Sequence, residues 1–205
     1  MRAVRPSWSS SSLGFPVKRR ESSPPGLPPR ATLARQLATV PDLTVVTNST
    51  RVADVLLSAS HALMHGPARP NVILTGGVRT PSDALVGPIA VASLESLHLD
   101  LVFLGVHGMD PRAGYTTPNM LEADTDRALV AAARRLVVVA DHTKWATVGI
   151  STIVPLDRAD VVVTDDHLSL DAQATLRESV GQLLVAGGGA TTGASVTAPA
   201  AQVTA

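Results

Sequence analysis

The sequence predicts an α/β domain with a mostly parallel sheet and helices on both faces. Three observations indicate this fold. Short β-branched runs are apolar throughout, helical stretches alternate with them, and 45% of the 205 residues are hydrophobic, which is enough for one core. Strands that are buried on both faces read as continuous apolar runs, and the helices between them imply right-handed parallel crossovers.

The predicted elements alternate along the middle of the chain. Strands are expected at 43–47, 71–75, 101–106, 136–140 and 161–165. The segments 151–156 and 183–186 have a weaker strand pattern and are expected to add two further strands. Helices are expected between them, at 31–39, 50–60, 84–96, 120–134 and 171–180.

The two ends differ from this pattern. Residues 1–30 hold six prolines and seven serines without apolar periodicity, which predicts a disordered basic segment. Residues 187–205 are rich in Gly, Ala, Thr and Ser and carry no charge, which predicts a disordered tail. The folded domain is therefore expected at 31–186.

Charge and composition exclude several classes of protein. The zero net charge divides into six Lys/Arg and one Glu in residues 1–30, and eleven Lys/Arg against sixteen Asp/Glu in the rest. An acidic body makes a poor clamp for a phosphate backbone, so we expect no specific DNA binding by the domain itself. The chain lacks cysteine, long apolar runs and a secretory pattern, so we expect a cytoplasmic protein without disulfides or a membrane partner.

Polar and glycine residues follow each predicted strand. In open α/β sheets, ligands bind beyond the carboxyl ends of the strands. The candidate segments are 47–49, 76–77, 105–110, 141–144 and 164–166. Ordinary turns and helix caps explain the first two segments equally well, and Lys144, the only lysine after residue 30, could be a simple surface residue.

The histidines do not make a convincing metal site in the sequence. His61 and His65 have helical i,i+4 spacing, but a third ligand and an HExxH motif are absent. Nucleotide fingerprints and a GxSxG elbow are absent as well, so we expect no metal and no cofactor.

Four segments in order resemble the C-terminal sensor domain of DeoR/GlpR-type transcriptional regulators. They are LTVVTNSTRVADVL, VILTGGVRTPSDALVGPIA, DLVFLGVHGMDPRAGYTTPNMLEADTDRALV and LVVVADHTKWATVGISTIVPLDRADVVVTDD. The resemblance covers about residues 31–185. It implies a fold similar to ribose-5-phosphate isomerase and glucosamine-6-phosphate deaminase. It also implies a homo-oligomeric bacterial regulator, usually a repressor, that releases DNA when a phosphorylated sugar binds.

The same resemblance implies which residues line the sugar-phosphate site. They are Thr47, Asn48, Gly76, Gly77, Gly105, Asp110, Glu122, Asp141 and Lys144. Lys144 would meet a phosphate or carbonyl oxygen as a point charge, and Asp110 and Glu122 would accept sugar hydroxyls. The alternative is a sugar-phosphate isomerase on the same fold with Glu122 as the base, but fold likeness alone does not assign chemistry, and we expect a binder rather than an enzyme.

Two departures from the family pattern are visible. Residues 1–30 cannot form the helix-turn-helix that precedes the sensor domain in the family, which predicts a truncated or frame-shifted gene or a wrongly chosen start. The family's Asp-x-Gly-Thr-Thr phosphate loop is replaced by the proline-rich segment 22–30. Proline has no N–H to donate to an anion, so we expect sugar phosphates to bind weakly, with dissociation constants of roughly a millimolar or more.

Overall fold

A computed structural model describes residues 29–40, 42–62 and 70–187. It is a mixed α/β structure, as predicted. The helices of the described residues are α1 (Pro29–Leu37), α2 (Thr50–Ala62), α3 (Pro88–Leu94), α4 (Met120–Ala132) and α5 (Leu170–Ser179), with short 3-10 helices at His142–Lys144 and Leu156–Arg158.

The strands are short and more numerous than predicted. In chain order they are β1 (Thr44–Thr47), β2 (Asn71–Leu74), β3 (Val78–Arg79), β4 (Leu85–Val86), β5 (Val102–Leu104), β6 (Gly108–Asp110), β7 (Gly114–Thr117), β8 (Leu136–Val139), β9 (Ser151–Val154), β10 (Val161–Asp165) and β11 (Leu183–Ala186).

Four strands form a parallel sheet in the order β11-β10-β8-β5. The two central strands, β8 and β10, are valine-rich and mostly buried. A strand with a neighbour on each side and layers on both faces has no polar face, which is why these runs lack polar alternation. The parallel sheet predicted from the apolar runs is confirmed.

The main core lies around this sheet. It joins residues of α3, α4 and α5 to the strands, and its fully buried side chains include Leu94, Met109, Tyr115, Val138 and Leu176. The Tyr115 hydroxyl donates to the Leu156 carbonyl at 3.4 Å. Tyr115, which belongs to β7, is thus a core residue.

Two antiparallel units were not predicted. Strands β6, β7 and β9 form a three-stranded sheet, and β3 and β4 form a hairpin. The helix expected at 84–96 is shorter because Leu85 and Val86 belong to the hairpin and α3 begins only at Pro88. Proline favours the first turn of a helix and cannot donate to a sheet ladder, so it marks this boundary.

The N-terminal part forms a smaller layer. Strands β1 and β2 pair in parallel, from Thr44 opposite Asn71 to Thr47 opposite Leu74. Helices α1 and α2 pack together beside them over a separate small core of Ala34, Ala38 and Leu56. This layer is joined to the rest by the bridge between Ser49 and Ala84.

Some predictions fall on residues that are not described. The segments predicted to be disordered lie outside the described residues, except for Pro29, Arg30 and Gly187. Pro29 and Arg30 form the start of α1, two residues before the predicted helix. His65 and the side chain of His61 are also outside the description. No helix in the described part of the chain is long and apolar enough to cross a membrane.

Candidate functional site

A cavity of about 580 Å³ opens beyond the carboxyl ends of β1, β5 and β8. This is the position where ligands bind in open α/β sheets, and the volume suits a small metabolite. The walls come from the turns after these strands, the β3–β4 hairpin and the start of α4. The lining residues are Asn48, Ser49, Pro81, Ser82, Ala84, Gly105, Val106, His107, Thr117, Pro118, Asn119, Glu122, Asp126, Val139, Ala140, Asp141 and Lys144.

The cavity brings together five of the nine residues that the sequence singled out. They come from four separate turns or helix starts, and they are Asn48, Gly105, Glu122, Asp141 and Lys144.

Glu122 is held by two hydroxyl groups. Ser82 Oγ donates to Oε1 at 2.5 Å, and Thr117 Oγ1 donates to Oε2 at 3.1 Å. The carboxylate lies in the first turn of α4, where the helix dipole favours a negative charge. Both oxygens keep further lone pairs, so Glu122 can accept hydrogen bonds from a ligand hydroxyl.

Asn119 caps the N-terminus of α4. Its Oδ1 accepts hydrogen bonds from the backbone N–H groups of Leu121 at 2.9 Å and Glu122 at 3.3 Å. The residue therefore caps the helix and at the same time lines the cavity. The cap fixes the backbone that carries Glu122.

Asp141 and Lys144 are carried by one tight turn. Asp141 Oδ1 accepts from Thr143 N at 2.9 Å and from the Thr143 hydroxyl, which starts the 3-10 helix His142–Lys144. Lys144 is half-buried and closes this helix. Among the residues that the structure describes, no carboxylate forms an ion pair with its amine. The Lys144 cation is thus available to an anionic ligand.

The charges of the cavity are uneven. Three carboxylates, those of Glu122, Asp126 and Asp141, line it together with the single ammonium of Lys144. Carboxylates accept hydrogen bonds from hydroxyl groups, whereas an anionic group would be repelled by them. A ligand that has hydroxyl groups along its length and one negative group matches this distribution if that group lies at Lys144.

Four predicted site residues do not line the cavity. Two of these are the adjacent glycines after β2, Gly76 and Gly77, which have φ values of 75° and 115°. A Cβ on Gly77 would lie 2.6 Å from the Val86 carbonyl oxygen. The glycines thus permit a left-handed turn and a close approach to β4, which is the turn that the sequence left open as an alternative.

The other two are Thr47 and Asp110. The Thr47 hydroxyl is buried and accepts a hydrogen bond from Ser49 N at 3.1 Å. Asp110 Oδ1 accepts from the N–H groups of Arg112 at 2.8 Å and Ala113 at 2.9 Å in the β6–β7 turn. These hydrogen bonds hold the pKa of the Asp110 carboxyl below its usual value, and the one from Ala113 has the largest effect. Asp110 therefore stabilises the β6–β7 turn and does not line the cavity.

Sequence reasoning missed several lining residues. Ser82 donates a hydrogen bond to Glu122 across forty positions, and Thr117 and Asp126 also line the cavity. His107 lines it too and lies in the candidate segment 105–110, although it was not chosen as a site residue. Thr117 and Asn119 lie directly before α4, where a capping signal could have indicated them. No local signal could have found Ser82, because the unpredicted β3–β4 hairpin brings it to α4.

A family model supplies the identification. The model of the DeoR C-terminal sensor domain matches residues 30–166. The chain belongs to the DeoR C-terminal sensor domain family. The match includes both the N-terminal layer and nearly all of the cavity-bearing region, so the predicted resemblance is confirmed.

Relatives of this DeoR-type domain are regulators by name. It is 36% identical to the HTH-type transcriptional regulator GlpR of Haloferax volcanii, over 69% of this chain and 52% of that protein. It is 34% identical to an uncharacterized HTH-type transcriptional regulator, YgbI, of Escherichia coli K12, over 75% of this chain and 57% of that protein. It is 31% identical to the HTH-type transcriptional regulator GolR of Listeria innocua, over 67% and 51%. The chain spans about half the length of the curated relatives it matches.

Proposed function

We propose that this DeoR-type domain senses a phosphorylated sugar in the cavity and thereby controls a transcriptional repressor of sugar metabolism. The observation that carries the proposal is the grouping of one cation, Lys144, with three carboxylates in the cavity beyond the strand ends. A sugar phosphate has the matching chemistry, since it joins one anionic group to several hydroxyls.

The binding mode follows from the positions of the groups. Lys144 binds the phosphate oxygens by charge-assisted hydrogen bonds. Glu122 and Asp141 accept hydrogen bonds from sugar hydroxyls, and Asn48, at the start of α2, offers both a donor and an acceptor. Gly105 lines the cavity directly after β5 and presents no side chain to the ligand. The sites of Thr47, Gly76, Gly77 and Asp110 are left out of this binding mode because they do not line the cavity.

We propose a binder and not an isomerase. A general base must lie within hydrogen-bond reach of the proton that it removes. Both oxygens of Glu122 are already oriented by the hydroxyls of Ser82 and Thr117, which suits a fixed acceptor. The relatives named as transcriptional regulators agree with this choice.

The signal is proposed to reach DNA through another part of the regulator. The family model that matches residues 30–166 is a sensor domain, while the relatives are named HTH-type regulators. We therefore assign DNA contact to a helix-turn-helix unit outside residues 30–166. We also assign the sensor domain to a homo-oligomer in the cytoplasm, which light scattering of the purified protein tests by mass.

The test is calorimetric titration with a panel of sugar phosphates and the same sugars without phosphate. At least one sugar phosphate is expected to bind saturably and more tightly than its parent sugar. Lys144→Ala should weaken this binding by about 10–100-fold, because a charge-assisted hydrogen bond contributes roughly 1.5–3 kcal/mol. Glu122→Gln should weaken the binding of the parent sugar and that of the sugar phosphate by the same factor.

Arg79→Ala is the matched control. Arg79 is an exposed cation of β3 that does not line the cavity, so its removal should leave affinity unchanged. Unchanged affinity in Lys144→Ala, or saturable binding of the parent sugars alone, would contradict the proposal. Turnover of a sugar phosphate that disappears in Glu122→Gln would favour the isomerase instead.

A further inference from the structure

Two histidines and an aspartate converge at a place outside the cavity. His142 follows β8, Asp165 ends β10, and His167 lies two residues farther on. Strands β8 and β10 are neighbours in the parallel sheet, with Val139 opposite Val163, so their carboxyl ends lie side by side. None of the three residues lines the cavity. Their cluster therefore calls for an explanation of its own.

The three side chains offer ligand atoms that lie within 4.8 Å of one another. His142 Nδ1 is 2.9 Å from Asp165 Oδ1, and His167 Nδ1 is 3.6 Å from the same oxygen. The two imidazole rings have centroids 5.2 Å apart. With metal–ligand bonds of about 2.0–2.1 Å, neighbouring ligand atoms of a tetrahedral ion are about 3.3 Å apart. The two nitrogen–oxygen spacings bracket this value, and the two imidazole nitrogens lie within 4.8 Å of each other, so small side-chain shifts would place all three groups around one ion.

The central carboxylate is already oriented. Asp165 Oδ2 accepts a hydrogen bond from His142 N at 3.0 Å, and Oδ1 accepts one from His167 N at 2.9 Å. The carboxylate is thus fixed by the backbone of the two residues that carry the imidazoles. Hydrogen bonds of this kind set the direction of a metal ligand before the ion arrives.

The cluster is open to solvent on its outer side. The exposed fractions of the side chains of His142, Asp165 and His167 are 42%, 29% and 76%. An ion can therefore enter without any rearrangement of the fold. The Asp166 carboxylate, whose Oδ1 lies 3.3 Å from His167 Nδ1, or a water molecule can complete a four-coordinate shell.

We propose that His142, Asp165 and His167 form a binding site for a divalent transition metal of the zinc class. Two imidazoles and a carboxylate suit Zn²⁺, Co²⁺ and Ni²⁺, whereas Mg²⁺ and Ca²⁺ prefer oxygen ligands alone. The site is separate from the effector cavity and does not depend on the proposed function. The sequence alone predicted no metal, because the ligands come from two turns that are twenty-three residues apart.

The test is titration of the untagged, metal-free chain with Zn²⁺ by calorimetry and with Co²⁺ by visible absorption. We expect one ion per chain at this site, with the Co²⁺ bands typical of nitrogen and oxygen ligands, and a rise in melting temperature on metal addition. His142→Gln and His167→Gln should each weaken Zn²⁺ binding at least about tenfold. His167 is the cleaner of the two, because its side chain is mostly exposed.

Two control variants locate the ion. His98→Gln removes an exposed histidine away from the cluster and should leave the affinity unchanged. The double variant His61→Gln/His65→Gln removes the helical pair noted in the sequence and should also leave it unchanged. Absence of Zn²⁺ binding, affinity unchanged in His167→Gln and His142→Gln, or loss only in the His61/His65 variant would overturn the proposal. Circular dichroism without metal verifies that each variant is folded.

Discussion

Strands β2 and β8 are similar in sequence and different in surroundings. Both are four-residue runs in parallel pairing, Asn71–Leu74 and Leu136–Val139. β8 lies between β5 and β10 and is almost wholly buried. In the described part of the chain β2 pairs with β1 alone, and Ile73 and Leu74 are 40% and 46% exposed. An apolar run thus predicts a strand, but the neighbours of that strand decide how much it stabilises the fold.

The same contrast extends to the two regions that contain these strands. The N-terminal region, residues 29–86 as far as they are described, has a small core, while the C-terminal region, residues 88–187, contains most of the main core. The cavity lies where the two meet, since Asn48 and Ser82 belong to the first region and Glu122 and Lys144 to the second. One core is large and the other small, so we compare matched substitutions in the two regions by the loss of unfolding free energy that each causes.

The largest difference is expected between two leucines. Leu176→Ala empties a fully buried position of the main core and should lower the free energy of unfolding by about 2–5 kcal/mol. Leu74→Ala removes a half-exposed side chain of β2 and should lower it by less than about 1 kcal/mol. Urea unfolding of both variants measures this directly. Equal losses would mean that β2 is covered in the protein in solution.

Two glycines give the next comparison. A Cβ on Gly108 in the C-terminal region would overlap the Thr147 carbonyl. Overpacking usually lowers the free energy of unfolding by about 1–3 kcal/mol, and Gly108→Ala should lower it by the upper end of this range or more. Gly76 in the N-terminal region has φ 75° but no atom nearer than 3.5 Å to such a Cβ. Gly76→Ala should therefore cost only the left-handed backbone, about 1–2 kcal/mol. A reversed order in melting temperature would refute the steric argument.

Helix caps give a smaller difference. Asn119 accepts two backbone N–H groups of α4, whereas Ser49 Oγ accepts one from Val52 of α2 at 3.3 Å. Asn119→Ala is expected to cost about 1–2 kcal/mol and Ser49→Ala about 0.5–1 kcal/mol. Because both residues line the cavity, each variant should also be tested for sugar-phosphate binding. If Ser49→Ala destabilised the protein as much as Asn119→Ala, the Ser49 cap would contribute as much as the Asn119 cap, contrary to the prediction.

The smallest effects are electrostatic and occur in two turns. Folding lowers the pKa of Asp110, so this carboxylate adds stability above its ordinary pKa of 3.8, and that stability is lost as the pH falls through the lower folded value. Asp110→Ala should thus lower the urea midpoint at neutral pH and make little difference in strong acid.

The N-terminal counterpart is the ion pair between Arg79 and Asp83. Arg79 is mostly exposed, so Arg79→Ala should change stability by less than about 1 kcal/mol, and the change should shrink in high salt. A salt-independent effect would show that Arg79 contributes by packing and not by charge.

Most of the fold could be predicted from sequence because its signals are local. The valine runs of β8 and β10 and the alternation with helices were sufficient for the parallel sheet. The antiparallel sheet of β6, β7 and β9 was missed because β6 and β7 are short, rich in glycine and threonine, and without the apolar run that marks a buried strand. Residues 84–96 were assigned to one helix because Leu85 and Val86 fit either element until their partner strand is known.

The site was predicted only in part, for the same reason. Asn48, Gly105, Asp141 and Lys144 line the cavity from turns that follow strands, and Glu122 lines it from the first turn of α4. Gly77 and Asp110 also follow strands, but they serve the turns in which they lie. Ser82 has no signal in the sequence, because Glu122 is distant along the chain. His142 and Asp165 lie in the candidate segments 141–144 and 164–166, but their grouping with His167 depends on the order of the strands.

The sequence by itself determined the class of fold, the family and the turns that could bear a ligand, because apolar periodicity and ordered motifs depend on neighbouring residues. Only the tertiary structure decided which of these turns meet in one cavity, how the hydroxyls of Ser82 and Thr117 orient Glu122, and that His142 faces Asp165. These contacts join segments that the sheet order brings together, and sheet order depends on the packing of the whole chain.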